Sequence, residues 1–123
     1  MSEPTKTYNP FDVVVVPFPF TDSATQKRRP ALILSQTVAF NAPSGHSVMA
    51  MITSADNTPW PLDVRLANLA SAGLPVPSVV RMKLFTLDLR LILAGIGTLD
   101  QADQGAVRQS LSGLFGFDVN RVA

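Results

Sequence analysis

Residues 12–35 read DVVVVPFPFTDSATQKRRPALILS, and this stretch decides the fold. Two apolar, β-branched runs flank a polar loop that ends in Lys27, Arg28, Arg29 and Pro30. The pattern predicts a buried strand over 13–16, a loop over 21–27, a basic corner and a second strand over 29–36. Pro17 and Pro19 stand two residues apart, so both missing N–H groups fall on one edge, at a strand end or sheet margin. A cluster of permanent positive charge is thereby held at the edge of a sheet, where an anionic polymer can lie.

Working outward, residues 37–47 hold Asn41, Pro43, Ser44 and Gly45 and read as a loop. Residues 47–53 alternate: Val48, Ala50 and Ile52 face one way, Met49, Met51 and Thr53 the other. The Met49 and Met51 side chains suit a subunit interface or packing within the chain. A turn over 57–61 leads to a short strand over 62–66. Residues 67–74 hold one helical turn, ended by Gly73 and Pro75. Residues 79–86 alternate again, with Val80, Met82 and Leu84 toward the core and Arg81, Lys83 and Phe85 opposite. Residues 89–99 are apolar, with Gly95 and Gly97, and suit a curved strand. The helix is C-terminal, over about 100–116: Asp100 is a good N-cap, Val107, Leu111, Leu114 and Phe115 form one apolar stripe, and Gly116 supplies the stop. The predicted class is mainly β with a C-terminal helix, a small, SH3-like bent β-barrel. Residues 1–10 are expected to be loosely ordered and 11–123 to form the single domain.

Composition narrows the function. Hydrophobic residues make up 46% and charged residues 15% of the 123, which is apolar for a monomer and suggests a homodimer. With no cysteine and one histidine, His46, neither a thiolate site nor a transition-metal site is expected; no cofactor is expected either. Residues 13–20 are too short and proline-broken to span a bilayer, so a soluble cytoplasmic protein without membrane contact is expected. Net charge is only +1, but no acid occurs between Asp22 and Asp56, and five of the ten basic residues are Lys27, Arg28, Arg29, Arg81 and Lys83. Such clustering is either a solvated surface or an electrostatic footprint for nucleic acid.

The residues resemble a family. DVVVVPFPFTD…KRRPALILS is similar to the start of MazF/PemK-type toxins, the endoribonuclease partners of type II toxin–antitoxin pairs. The likeness continues in order through MAMITSAD (49–56), SVVRMKLFTLD (78–88) and GIGTLD with its helix (95–117). The resemblance implies a plasmid-maintenance-toxin barrel that dimerises and cuts single-stranded mRNA at short sequence motifs. It implies cleavage without metal, leaving a 2′,3′-cyclic phosphate and a 5′-hydroxyl. It further implies neutralisation by an antitoxin whose acidic tail occupies the RNA groove, with DNA bound only indirectly through that antitoxin. The family's functional arginine, directly before the proline of RPALILS, corresponds to Arg29. Its threonine corresponds to Thr53, with Ser54 beside it, and the arginine of SVVR corresponds to Arg81. Some members carry an acid two positions later, where this chain has Lys83.

On these residues a nuclease would use Arg29 as the clamp on a phosphate gaining negative charge, since a guanidinium fork fits phosphate oxygens but is a poor base. Thr53 would hydrogen-bond a phosphate oxygen or orient the 2′-hydroxyl. Lys27, Arg28, Ser54, Arg81 and Lys83 would bind flanking RNA. Structural alternatives stand beside these: a solvated strand start for Arg29, β-propensity for Thr53 and a wet strand face for Arg81 and Lys83. Asp22 is a turn former or groove residue, His46 a surface residue, and Trp60 a packing residue or a base-stacking platform. The related gyrase-binding toxins share the barrel, so a non-enzymatic inhibitor of a protein target is the competing function.

Overall fold

The computed structural model describes residues 7–18 and 27–119. Six strands form one antiparallel, strongly curled sheet: β1 (Asp12–Phe18), β2 (Lys27–Ile33), β3 (His46–Ser54), β4 (Val64–Arg65), β5 (Ser78–Asp88) and β6 (Ala94–Thr98). The spatial order is β4-β5-β3-β2-β1-β6. The strands at 12–18 and 27–33 pair without a register shift, from Val13 opposite Leu32 to Phe18 opposite Lys27. β1 therefore runs through Pro17. The Val15 carbonyl accepts from Leu93 N–H at 2.8 Å, on the β6 side. Pro17 shares the parity of Val15, and β6 reaches only to Val15, so the missing N–H falls on the unpaired margin. Pro19, Asp22 and the remainder of the 19–26 segment lie outside the described residues.

Each face of the sheet has its own core. One buries Val13, Leu32, Ala50, Ile52, Val80 and Met82 under the C-terminal helix α3 (Gln101–Phe115), through Val107 and Leu111. The other buries Val14, Val16, Ala31, Ile33, Met49 and Leu87 beneath Tyr8. Period-two alternation in β1, β2, β3 and β5 produces both. Met49 is thus fully buried within its own chain and is not available to a partner subunit. Tyr8 is buried, and its carbonyl accepts from Thr37 Oγ1 at 2.7 Å, which anchors the chain shortly before β1.

Residues 37–47 are not a plain loop. A π-helical turn (Thr37–Asn41) and a short α1 (Ala42–Ser44) precede Gly45, whose φ is 71°. The Gln36 side chain accepts from Val38 and Ala39 N–H at 2.8 and 2.9 Å, supplying an N-cap that the composition hid. Residues 89–99 are likewise not one strand. Asp88 accepts from Arg90 N–H at 2.9 Å and caps a 3₁₀ turn (Leu89–Leu91) before β6 begins. The other helices follow expectation. α2 (Leu69–Ala72) stops at Gly73, φ 73°. In α3, Asp100 caps Asp103 N–H at 2.9 Å and Gly116 closes at φ 76°, but Leu114 and Phe115 remain exposed.

The pairing of β3 with β5 is irregular at one place. Ala50 faces Leu84, yet Ile52 faces Val80. Arg81, Met82 and Lys83 therefore stand opposite Met51 alone, as a bulge carrying two extra residues on β5.

Candidate functional site

The second face of the sheet is apolar at one end and polar at the other, because each strand changes character along its length. β2 passes from Ile33 and Ala31 to Arg29, β3 from Met49 to Met51 and Thr53, and β5 from Phe85 to Lys83 and Arg81. The polar ends meet in a cleft of about 280 Å³, lined by Phe18, Arg29, Met51, Ile52, Thr53, Asn57, Trp60, Arg81 and Lys83. Arg29 and Thr53, 24 positions apart in sequence, thus share one cleft with Arg81 and Lys83.

Arg29 is exposed, and among the described residues nothing pairs with its guanidinium. A guanidinium in that state keeps its donor fork for an incoming anion. Lys83 is also exposed, with Nζ 5.4 Å from the centre of the Phe18 ring, a cation–π arrangement at the cleft wall. Thr53 is half-buried, and its Oγ1 accepts a hydrogen bond from Asn57 Nδ2. Lys27 and Arg28 are exposed at the start of β2, opposite Phe18 and Pro17, and do not line the cleft. Alternation turns Arg28 to the face opposite Arg29. Ser54 is outside the cleft too, and its Oγ accepts from Asp56 N–H at 3.2 Å.

Arg81 is more engaged than a wet strand face would require. Its Nε and Nη2 donate to the two oxygens of Asp63 at 3.2 and 3.0 Å, and Nη2 also donates to the Thr58 carbonyl at 2.8 Å. Its guanidinium lies 4.9 Å from the Trp60 ring centre. Asp63 in turn accepts from Trp60 N–H at 2.9 Å. Burial raises the Asp63 pKa, but the hydrogen bonds from Arg81 and Trp60 and the Arg81 charge outweigh it and hold the carboxyl below its ordinary value. Arg81 is therefore the post to which the 57–63 loop is tied. The far end of that loop rests on α3, where the Leu62 carbonyl accepts from Ser110 Oγ at 2.9 Å. Leu62 adopts φ 68°, a left-handed conformation costly for a residue with a Cβ. Trp60 packs on Arg81 while remaining 43% exposed to the cleft.

Sequence reasoning missed Asn57 and Asp63. The signal for Asp63 was an acid in a Pro-rich turn, eighteen positions from its partner, with nothing local to link them. His46 lies far from the cleft. It is exposed, its Nδ1 is 2.9 Å from the Ser44 carbonyl, and it borders a separate hollow with Tyr8, Asp88 and Arg90. Among the described residues, no three His, Asp or Glu side chains are grouped to hold a metal, and no helix is long and apolar enough to cross a membrane.

Solved structures of other proteins share this fold. The MazE–MazF structure of Deinococcus radiodurans (Form-III) is 26% identical, with a TM-score of 0.72 over 91% of this chain and 99% of that one. Its Form-II counterpart is also 26% identical, with a TM-score of 0.69 over 91% and 98%. The Mycobacterium tuberculosis toxin MazF-mt6, 24% identical, shares the fold at a TM-score of 0.68 over 87% and 98%. No curated protein matches the sequence significantly. The family model described as PemK-like, MazF-like toxin of type II toxin-antitoxin system matches residues 9–115. Over nearly its whole length, the chain belongs to the PemK-like, MazF-like toxin family of type II toxin–antitoxin systems.

Proposed function

We propose that this toxin is an endoribonuclease that cuts single-stranded mRNA at short sequence motifs and is neutralised by a cognate antitoxin. The observation that carries the reading is the sharing of one basic cleft by Arg29 and Thr53. The ribose 2′-oxygen attacks phosphorus and loses its proton to water. The 5′-oxygen leaves and gains a proton from water, giving a 2′,3′-cyclic phosphate and a 5′-hydroxyl. This in-line route needs no metal. The protein supplies alignment and charge. The Arg29 fork would grip the phosphoryl oxygens as negative charge builds. The Thr53 hydroxyl would add a hydrogen bond, and Lys83 with Lys27 would hold neighbouring phosphates. Ser54, just outside the cleft, would contribute at its rim, whereas Arg28, turned to the opposite face, would add only long-range positive charge. Arg81, with two of its three nitrogens engaged, would contribute less to RNA than its charge suggests.

The likeness to the D. radiodurans MazE–MazF structures supports an antitoxin partner, and the basic cleft suits an acidic segment of it. A cytoplasmic homodimer is part of the same reading, and any DNA contact would run through the antitoxin. The test is incubation of the purified protein with a long single-stranded RNA, with and without chelator, followed by sequencing of the 5′ ends. Site-specific cuts bearing 5′-hydroxyls are expected. Intact RNA after incubation with folded protein would refute the reading, and toxicity surviving Arg29→Ala would favour inhibition of a protein target such as gyrase.

A further inference from the structure

A hydroxyl beside a scissile phosphate can either donate or accept, and the two roles stabilise different charges. The direction of the Thr53 hydroxyl is controlled by Asn57, which lines the same cleft. The Asn57 amide Nδ2 donates to Thr53 Oγ1. The intervening turn is built to deliver it: Asn57 N–H donates to the Ser54 carbonyl at 3.1 Å and Ala55 N–H to the Pro77 carbonyl at 3.0 Å. An amide NH₂ only donates, so it fills a lone pair of Oγ1 and the hydroxyl proton must point elsewhere. Among the described residues no acceptor takes that proton, and the neighbouring Arg29 and Lys83 are themselves donors. The proton is left for an oxygen that enters the cleft.

We propose that Asn57 is a positioning residue that holds Thr53 as a hydrogen-bond donor to a non-bridging oxygen of the scissile phosphate. This rests on the nuclease reading. Asn57 is exposed, so its bond to Thr53 competes with water and contributes little to folding. Its work is to keep one of several hydroxyl rotamers populated before the RNA arrives.

The test is a double-mutant cycle on the full chain. Its substrate is a single-stranded oligonucleotide spanning a site first mapped on long RNA. Asn57→Ala is expected to lower kcat on the order of tenfold, the equivalent of one lost orienting hydrogen bond, with KM within about twofold. In a Thr53→Val background, Asn57→Ala should lower kcat no further. Asn57→Asp should be worse than Asn57→Ala, because a carboxylate accepts the proton and turns it from the phosphate. Equal losses from Asn57→Ala with and without the Thr53 hydroxyl, or an Asn57→Asp variant as fast as wild type, would overturn the positioning role alone. A wild type that leaves RNA intact would overturn the nuclease reading, and this proposal with it.

Discussion

Replacing Asp63 with alanine removes the anchor of the loop that walls the cleft. The carboxylate accepts three hydrogen bonds, two from Arg81 and one from Trp60 N–H. The two side chains are only 11% and 13% exposed, so water replaces these bonds poorly. Hydrogen bonds to a charged group contribute ~1.5–3 kcal/mol, and stranding the guanidinium of this partly buried pair puts the loss toward the upper end of that range. Arg81 keeps its bond to the Thr58 carbonyl and its stack on Trp60, so about 3 kcal/mol is the expected loss. An unfolding entropy of ~2.1 cal/mol/K per residue gives about 260 cal/mol/K for this chain, so Tm should fall by about 12 °C. The pH dependence follows from the depressed folded-state pKa of Asp63. Its stabilisation is complete above the ordinary carboxylate value near ~4 and is lost as pH falls through the lower folded value. The gap between wild type and Asp63→Ala should therefore be full at pH 7 and narrow only in acid. Urea unfolding followed by circular dichroism measures it. Trp60 is the only tryptophan, so its emission reports the same loop without interference and should shift in the variant before global unfolding. A loss under ~0.5 kcal/mol at pH 7, or a gap that stays constant in acid, would refute the reasoning.

Other expectations come from the same geometry. Arg29→Lys keeps the charge but not the fork, and RNA cleavage should drop tenfold or more with an unchanged melting curve; equal turnover would move the clamp elsewhere. Lys83→Ala should weaken RNA binding for all sequences and lower the salt slope by about one, measured by fluorescence anisotropy across a salt series. Gly97→Ala should destabilise by about 1–3 kcal/mol, because a Cβ there would lie 2.4 Å from the Ala72 carbonyl carbon and the Ser71 oxygen. Gly105→Ala, inside α3 with nothing within 4 Å, should stabilise by roughly 0.5–1 kcal/mol in thermal denaturation.

Much of this architecture is legible in the sequence because it rests on period two. The alternation of Met49, Met51 and Thr53 against Ala50 and Ile52, and of Arg81 and Lys83 against Val80 and Met82, assigns faces that the structure keeps. Period two puts Arg81 and Lys83 on one face and Thr53 opposite Ile52, but only the family resemblance joined Arg29 to Thr53. Alternation gives Met49 its side but not what covers it, since Tyr8 lies 41 positions away beyond two strands. The residues invisible in the sequence act through loops. Asp63 meets Arg81 directly after Leu62, whose left-handed conformation no propensity favours. Asp103 has the pattern of a solvated helix residue, yet it is buried and accepts from Ala67 and Asn68 N–H, each at 3.0 Å. Gln36 caps a helical turn where composition alone signals irregular chain.

The bulge on β5 has an evolutionary consequence. Its surplus is two residues, an even number, so inward and outward positions remain in phase on both sides of it. Excising Arg81 and Met82 together would let Val80 and Leu84 flank a single cation, Lys83, opposite Met51 and keep the remaining core side chains on their proper side, with the buried Met82 as the one core residue lost. Excising one residue would turn half the strand inside out. Paired steps therefore change charge at the groove while keeping the strand's inside–outside phase, with the packing cost confined to one core position.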